Sequence, residues 1–312
     1  MSPIMLNKFQ LPLRGIIPPL VTPLLDNDTL DSEGLELLIE HTISGGVHGI
    51  FILGTTGEFA GLSYKLRRKL IKYTCQLVNS RVPVLVGITD SAFTESLNLA
   101  KVAASCGADA VVLAPPYYFA LGQPELLEYL KRIMTHMPLP LFIYNIPIHT
   151  KVVFEPETVK AAASIHGIIG MKDSSFNLAY FKQIQHLLRD RLDFTFLVGP
   201  EEFMAEFVLT GGHGGVNGGA NMFPKLYVDL YNAAVGRDFE KITMLQQKVM
   251  QINTTIYKVG HFDSSYLKGL KCALSLIRIC SDVMAEPFHK FREPERKIIQ
   301  QKLDELNYLE LL

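Results

Sequence analysis

Eight short apolar runs separated by helix-forming segments constrain this chain more than any other feature. They lie at residues 15–24, 49–57, 82–89, 110–117, 139–147, 168–174, 194–199 and 213–220. Each is apolar nearly throughout instead of alternating, as parallel strands buried on both faces require. The segments between them carry helix signals. In residues 124–137, Leu126, Leu127, Leu130, Ile133, Met134 and Met137 share one face, while Glu125, Glu128, Lys131 and Arg132 fall elsewhere. Pro124 opens that segment, where its missing N–H costs nothing. Eight strand-helix units of roughly 20 to 33 residues predict an α/β fold of the (β/α)8 barrel type rather than an open doubly wound sheet. No G-x-G-x-x-G follows the first run to mark a dinucleotide site. About 90 residues remain beyond the eighth run, more than a barrel needs. They read as helices near 224–235, 239–259, 264–278 and 293–307, with no Gly/Ser linker to set them apart. The expected organisation is a barrel catalytic domain over residues 1–235 and a C-terminal helical region over 236–312 packed on it.

Composition excludes several function classes. Of 312 residues, 48% are hydrophobic and 20% charged, the balance of a globular protein with a sizeable core. The net charge is -1, and no basic tract suits nucleic acid. The opening Met1-Ser2-Pro3-Ile4-Met5-Leu6-Asn7-Lys8 lacks the features of a signal peptide, and no apolar run approaches a membrane span. Four cysteines (Cys75, Cys106, Cys272 and Cys280) are scattered without a CxxC pair, which indicates neither a disulfide framework nor a zinc ribbon. Nine histidines include no HxH or HExxH spacing, and isolated ones such as His213 read as structural. A cytoplasmic protein without a metal or nucleotide cofactor is expected.

In a barrel of this kind the reacting groups gather at the carboxyl ends of the strands. The most informative residue there is Lys172, which closes the run Ile168-Ile169-Gly170-Met171 and precedes Asp173-Ser174-Ser175. A lysine buried at a strand end is costly as a charge and useful as a neutral amine, a nucleophile for carbonyl carbons. One strand earlier stands Tyr144, in Tyr144-Asn145-Ile146-Pro147. A phenol beside an amine suits imine formation, which needs protons delivered to and removed from a carbinolamine. The second run ends in Gly54-Thr55-Thr56-Gly57-Glu58, where two hydroxyls and a glycine-loosened backbone could hold a carboxylate. The fourth ends in Pro115-Pro116-Tyr117-Tyr118, and the seventh leads into Gly199-Pro200-Glu201-Glu202.

Together with the glycine-rich Gly211-Gly212-His213-Gly214-Gly215-Val216, these motifs resemble the dihydrodipicolinate synthase / N-acetylneuraminate lyase family in order and on the expected strands. The resemblance extends from about Gly15 to the C-terminus. It implies a (β/α)8 barrel with a C-terminal helical region, assembled as a homotetramer, that joins or splits pyruvate and an aldehyde through a lysine Schiff base. By resemblance Lys172 is the imine-forming lysine and Tyr144 the general acid/base. Thr55 passes protons between Tyr144 and a tyrosine of the neighbouring subunit, for which Tyr118 is the match. Thr56 and the backbone around Val216 hold the keto-acid carboxylate, and Ser174 belongs to the substrate-binding set. The chemistry agrees with the residues: a protonated imine is an electron sink, so carbon–carbon bond making and breaking needs no metal.

The match departs at two places. The synthase branch has an arginine two residues after the Tyr-Asn-x-Pro proline, serving the carboxylate of aspartate semialdehyde. Here that position is His149, which lacks the planar charged fork. The lyase branch places acidic residues after the seventh strand to bind sugar hydroxyls, and Glu201 and Glu202 occupy that neighbourhood. The expected substrate is therefore a 2-keto-3-deoxy sugar acid or a related 4-hydroxy-2-keto acid. The alternatives are the lysine-pathway synthase reaction with aspartate semialdehyde, a metal-dependent aldolase, and a keto-acid-binding barrel without turnover. The loop Asn217-Gly218-Gly219-Ala220-Asn221, poor in side chains, is expected to leave room for substrate.

Overall fold

Apolar runs buried on both faces pair side by side in parallel, and right-handed helical crossovers set each next to its predecessor. In the computed structural model, which describes residues 9–307 and 311, the strands are β1 (Gly15–Ile16), β2 (Ile50–Ile52), β3 (Val84–Gly87), β4 (Ala110–Leu113), β5 (Leu141–Asn145), β6 (Ile168–Asp173), β7 (Thr195–Val198) and β8 (Gly214–Gly215). They make one parallel eight-stranded sheet in the order β1-β8-β7-β6-β5-β4-β3-β2. The sheet curls until its ends meet: the Phe51 N–H donates to the Pro18 carbonyl at 3.0 Å, and the Leu20 N–H donates to the Phe51 carbonyl at 2.8 Å. β1 is much shorter than its run because Pro18, Pro19 and Pro23 have no N–H to give a ladder. The eighth run leaves the sheet early for a 3-10 turn at Gly218–Asn221.

Side chains alternate between two apolar layers. Phe51, Leu85, Val112, Phe142, Tyr144, Leu197 and Val216 face the barrel interior, whereas Ile50, Val111, Leu113, Ile143 and Val198 pack outward against the helices. Alternation is interrupted once in β6. Leu141 pairs with Ile168, but Phe142 pairs with Gly170, so Ile169 is the extra residue of a bulge. Ile169 belongs to the interior layer. Gly170 faces inward too: a Cβ on it would lie 2.6 Å from Phe142 Cε1. Met171 then packs outward, and the next residue, Lys172, faces the interior opposite Tyr144.

Helices cover the outside of the sheet, with caps where the sequence supplies them. Asp31 Oδ1 accepts the Gly34 N–H at 2.9 Å, and Glu125 Oε2 reaches back to the Gly122 N–H at 2.7 Å to open Gln123–Met134. After β8 come helices Pro224–Gly236, Phe239–Thr255, Ser265–Leu276 and Glu293–Glu305, close to the expected spans. The second stops short of its expected end in a 3-10 turn at Ile256–Lys258. Among the described residues no helix is long and apolar enough to cross a membrane.

A fully buried ion pair ties this last part of the chain to the loop after β2. The Lys271 ammonium, on Ser265–Leu276, donates to Glu58 Oε1 at 2.6 Å, to the Thr22 carbonyl at 2.9 Å and to the Val283 carbonyl. The other Glu58 oxygen accepts the Ala285 N–H at 2.9 Å. Glu58 sits in the left-handed region at φ 55°, a strain its bonds to Lys271 and Ala285 hold in place. Removing one member leaves a buried charge without its counterpart. Lys271→Met is expected to destabilise the protein by about 3–5 kcal/mol, and the double variant Lys271→Met/Glu58→Gln by less. Urea midpoints of the two variants and the native protein check this ordering.

Candidate active site

The bulge in β6 and the regular course of β5 bring Tyr144 and Lys172 into register at the carboxyl rim. Lys172 is 5% exposed, and its Nζ lies 4.1 Å from the centre of the Tyr144 ring and 5.1 Å from that of Phe51. An amine held over two aromatic faces is oriented by their quadrupoles and shielded from water. Tyr144 and Phe51 in turn line a cavity of about 810 Å³ at this end of the barrel, bounded also by Thr55, His149, Asp263, Tyr266 and Lys268. That volume accommodates a small keto acid together with a second reactant.

The Tyr144 hydroxyl receives a hydrogen bond from Ser174 Oγ at a long 3.4 Å. Outward of this pair, Asn145 and Asp173 also face one another in register. Asn145 Nδ2 donates to Asp173 Oδ1 at 2.8 Å and its Oδ1 accepts the Phe154 N–H at 3.1 Å, while Ser175 Oγ donates to Asp173 Oδ2 at 2.8 Å. Burial pushes the Asp173 carboxyl up from the usual range, and the bonds from Asn145 and Ser175 oppose it. This lock between the β5 and β6 ends fixes the two reactive side chains relative to each other. Sequence reasoning passed over Asn145 and Asp173, although each directly follows a chosen residue and so points to the opposite side of its strand.

The turn after β2 is closed by the Gly57 N–H on the Gly54 carbonyl at 3.1 Å and the Glu58 N–H on the Thr55 carbonyl at 3.0 Å. Among the described residues no backbone acceptor takes the N–H of Thr55 or Thr56. The Thr56 Oγ1 lies 3.1 Å from the Tyr266 hydroxyl. Tyr266, on Ser265–Leu276, was missed from sequence: its segment reads as an ordinary amphipathic helix. Burial pushes its phenol well above the ordinary tyrosine range, reinforced by the Glu201 charge.

The remaining candidates fall in different places. His149 lines the cavity from the short helix Pro147–Thr150, and burial holds its imidazole below the ordinary histidine value against the pull of Asp263. The Val216 N–H is committed to the Val198 carbonyl at 2.7 Å. Tyr118 is 73% exposed and packs edge-on against the equally exposed Phe119, ring centres 5.1 Å apart. Glu201 and Glu202 stay outside the cavity lining. Glu201 accepts the Tyr227 hydroxyl at 2.7 Å and the Gly219 N–H at 2.9 Å, and Glu202 accepts Asn253 Nδ2 at 2.8 Å. His213 Nδ1 accepts the Phe196 N–H at 2.9 Å, a structural task, and burial lowers it to about 4. Among the described residues no cluster of three or more His, Cys, Asp or Glu side chains is arranged to hold a metal ion.

The glycine loop leaves less room than its composition suggests. A Cβ at Gly218 would lie 1.8 Å from the Tyr266 hydroxyl, and one at Gly219 would lie 1.9 Å from the Tyr227 hydroxyl. The space is taken by two phenols, which explains the glycines and corrects the expectation of an opening for substrate.

The model of the dihydrodipicolinate synthetase family matches residues 12–306. A solved structure of dihydrodipicolinate synthase from Bacteroides thetaiotaomicron is 61% identical, with a TM-score of 0.93 and coverage of 95% of this chain and 100% of that one. The 4-hydroxy-tetrahydrodipicolinate synthase of Methanopyrus kandleri is 30% identical over 299 residues, 95% of this chain and 97% of the relative. YagE of Escherichia coli K12, a candidate 2-dehydro-3-deoxy-D-gluconate aldolase, is 30% identical over 295 residues, 94% of this chain and 96% of YagE. Its structure in complex with pyruvate superposes with a TM-score of 0.89, covering 95% of this chain and 99% of that one.

Gly218→Ala tests the packing of the loop against Tyr266. The added methyl displaces the phenol from Thr56, so the expected outcome is about a tenfold or greater fall in kcat/KM, with the overall fold retained by circular dichroism. Unchanged kinetics would show that the Thr56–Tyr266 contact is not needed.

Proposed function

The chain belongs to the dihydrodipicolinate synthetase family, a family of pyruvate-dependent class I aldolases and lyases, and we propose that Lys172 forms the imine with pyruvate that this chemistry requires. The observation that carries the reading is the Lys172 amine 4.1 Å from the Tyr144 ring centre, in register with it, beside a cavity at the carboxyl ends of the strands. In the cleavage direction the Lys172 amine attacks the C2 carbonyl of a 4-hydroxy-2-keto acid and water leaves, giving a protonated imine. Tyr144 takes the proton of the C4 hydroxyl, the C3–C4 bond breaks and its electron pair moves into the imine to give an enamine. The aldehyde departs, the enamine is protonated at C3, and water releases pyruvate from the lysine. Ser174, bonded to Tyr144, and Thr55 on the cavity wall supply hydroxyls to this proton path, and Tyr118 of a neighbouring subunit completes it in a homotetramer. The substrate carboxylate lies on the N–H groups of Thr55 and Thr56 and the hydroxyls of Thr56 and Tyr266. The imine serves as the electron sink, so the mechanism calls on no metal or nucleotide.

For the second reactant we favour a hydroxylated aldehyde, which makes the substrate a 2-keto-3-deoxy sugar acid or a related 4-hydroxy-2-keto acid. No arginine lines the cavity among the described residues, whereas His149, Asp263, Ser264 and His289 offer hydroxyl-binding groups. Glu201 and Glu202 no longer support that choice, because both carboxylates are engaged elsewhere. The second reading is condensation of pyruvate with aspartate semialdehyde. It is supported by the name of the 61% identical relative and by Lys268, an ammonium on the cavity wall.

Reduction with borohydride in the presence of pyruvate, followed by peptide mapping, is expected to leave a pyruvate adduct on Lys172. An adduct elsewhere, or none, sinks the imine assignment. Turnover of 2-keto-3-deoxygluconate without condensation of aspartate semialdehyde supports the first substrate reading, and the reverse supports the second. Tyr144→Phe is expected to lower kcat by about 10²–10⁴ while the fold persists. An unchanged kcat would remove the phenol from the proton path.

A further inference from the structure

We propose that Glu201 is a positioning residue that sets the charge around the keto-acid carboxylate pocket, acting on Thr56 through Tyr266. The inference rests on the reading above, in which Thr56 and Tyr266 meet the substrate carboxylate. Two elements donate to the Glu201 carboxylate. The Tyr227 hydroxyl of Pro224–Gly236 donates to Oε1 at 2.7 Å, and the Gly219 N–H of the loop after β8 donates to Oε2 at 2.9 Å. From the 3-10 turn Ile256–Lys258, Tyr257 packs edge-on against Tyr266, ring centres 4.8 Å apart. Tyr266 then reaches Thr56 Oγ1 at 3.1 Å, and its hydroxyl rests against Gly218, next to the glycine whose N–H Glu201 holds. One buried carboxylate thus holds Tyr227 and the loop whose Gly218 packs against Tyr266 on the cavity wall.

The groups that act on Glu201 are the Gly219 amide, the phenols of Tyr227 and Tyr257, and the like charge of Glu202, while Gln246 Nε2 donates to its backbone carbonyl at 3.3 Å. Among the described residues no ammonium or guanidinium is a hydrogen-bond partner of Glu201. Burial without a countercharge pushes the carboxyl up to about 7, against the opposing pull of the Gly219 and Tyr227 bonds. Below that pH Glu201 is neutral and the pocket takes an anion freely. Above it Glu201 is ionised and its charge repels the incoming carboxylate.

The test is the pH profile of the pyruvate KM in the full-length protein, native and Glu201→Gln. The native KM is expected to rise about fivefold as pH passes from 6 to 8. The glutamine carries no charge, and its Oε1 can keep the Gly219 N–H while its Nε2 donates to the Tyr227 hydroxyl, so its KM stays at the low-pH native value throughout. A Glu201→Gln profile that rises as the native one does overturns the proposal. Should that variant fail to fold, Tyr227→Phe removes one bond that stabilises the ionised form, and the midpoint of the rise is expected to move up. A midpoint that stays in place overturns the proposal as well. Borohydride trapping separates the two levels: no Lys172 adduct in the native protein defeats the aldolase reading, whereas an adduct with a charge-independent profile defeats only the role of Glu201.

Discussion

The buried Glu58–Lys271 pair is the constraint on which the site depends. Two ions removed from water are unfavourable unless the geometry satisfies them, and here the ammonium has a carboxylate and two carbonyls while the carboxylate has an ammonium and an amide. Such an arrangement adds little net stability but admits few alternatives. It fixes the turn that carries Thr55 and Thr56 against the helix that carries Tyr266. The side of the cavity to which we assign the substrate carboxylate is thereby assembled from segments more than two hundred residues apart in the chain.

The other side is local. Tyr144 and Lys172 occupy adjacent strands, and the Asn145–Asp173 bond behind them keeps the strand ends from sliding. Sheet register sets the positions of these two groups, whereas the loop groups depend on the long-range ion pair. The glycine loop lies between these regimes. Its backbone is pinned by Glu201, and its lack of side chains lets two phenols close over it.

The fold was legible because it rests on short-range patterns: continuous apolar runs, amphipathic spacers and proline at helix starts. The ends of β1 and β8 were less so, since there proline and a 3-10 turn truncate runs whose apolar character continues. In the site, Lys172, Tyr144, Thr55 and Thr56 could be put forward as candidates because chemistry and strand-end position coincide. Tyr266 could not, because its importance comes from a contact 210 residues away in sequence. Glu201 was noticed for its charge, yet its burial and its donors are tertiary facts. A pair of glutamates after a strand reads the same whether it faces a cavity or a core.

The bulge in β6 gives the reactive lysine an unusual dependence. A strand has two faces, and a side chain's face is a matter of phase. Counted by simple alternation from Ile168, Lys172 would lie on the helix side with Ile168 itself, and Met171 would point into the barrel. The two inward residues Ile169 and Gly170 shift the phase by one, and Gly170 can do so because it has no Cβ to strike Phe142. The absence of a side chain two positions upstream thus lets the amine face the barrel interior. A side chain at Gly170 would leave the lysine in the sequence but strike Phe142 and the Thr195 carbonyl, so the strand or its neighbours would have to shift. Inheritance of the motif and inheritance of the chemistry are, at this strand, separable.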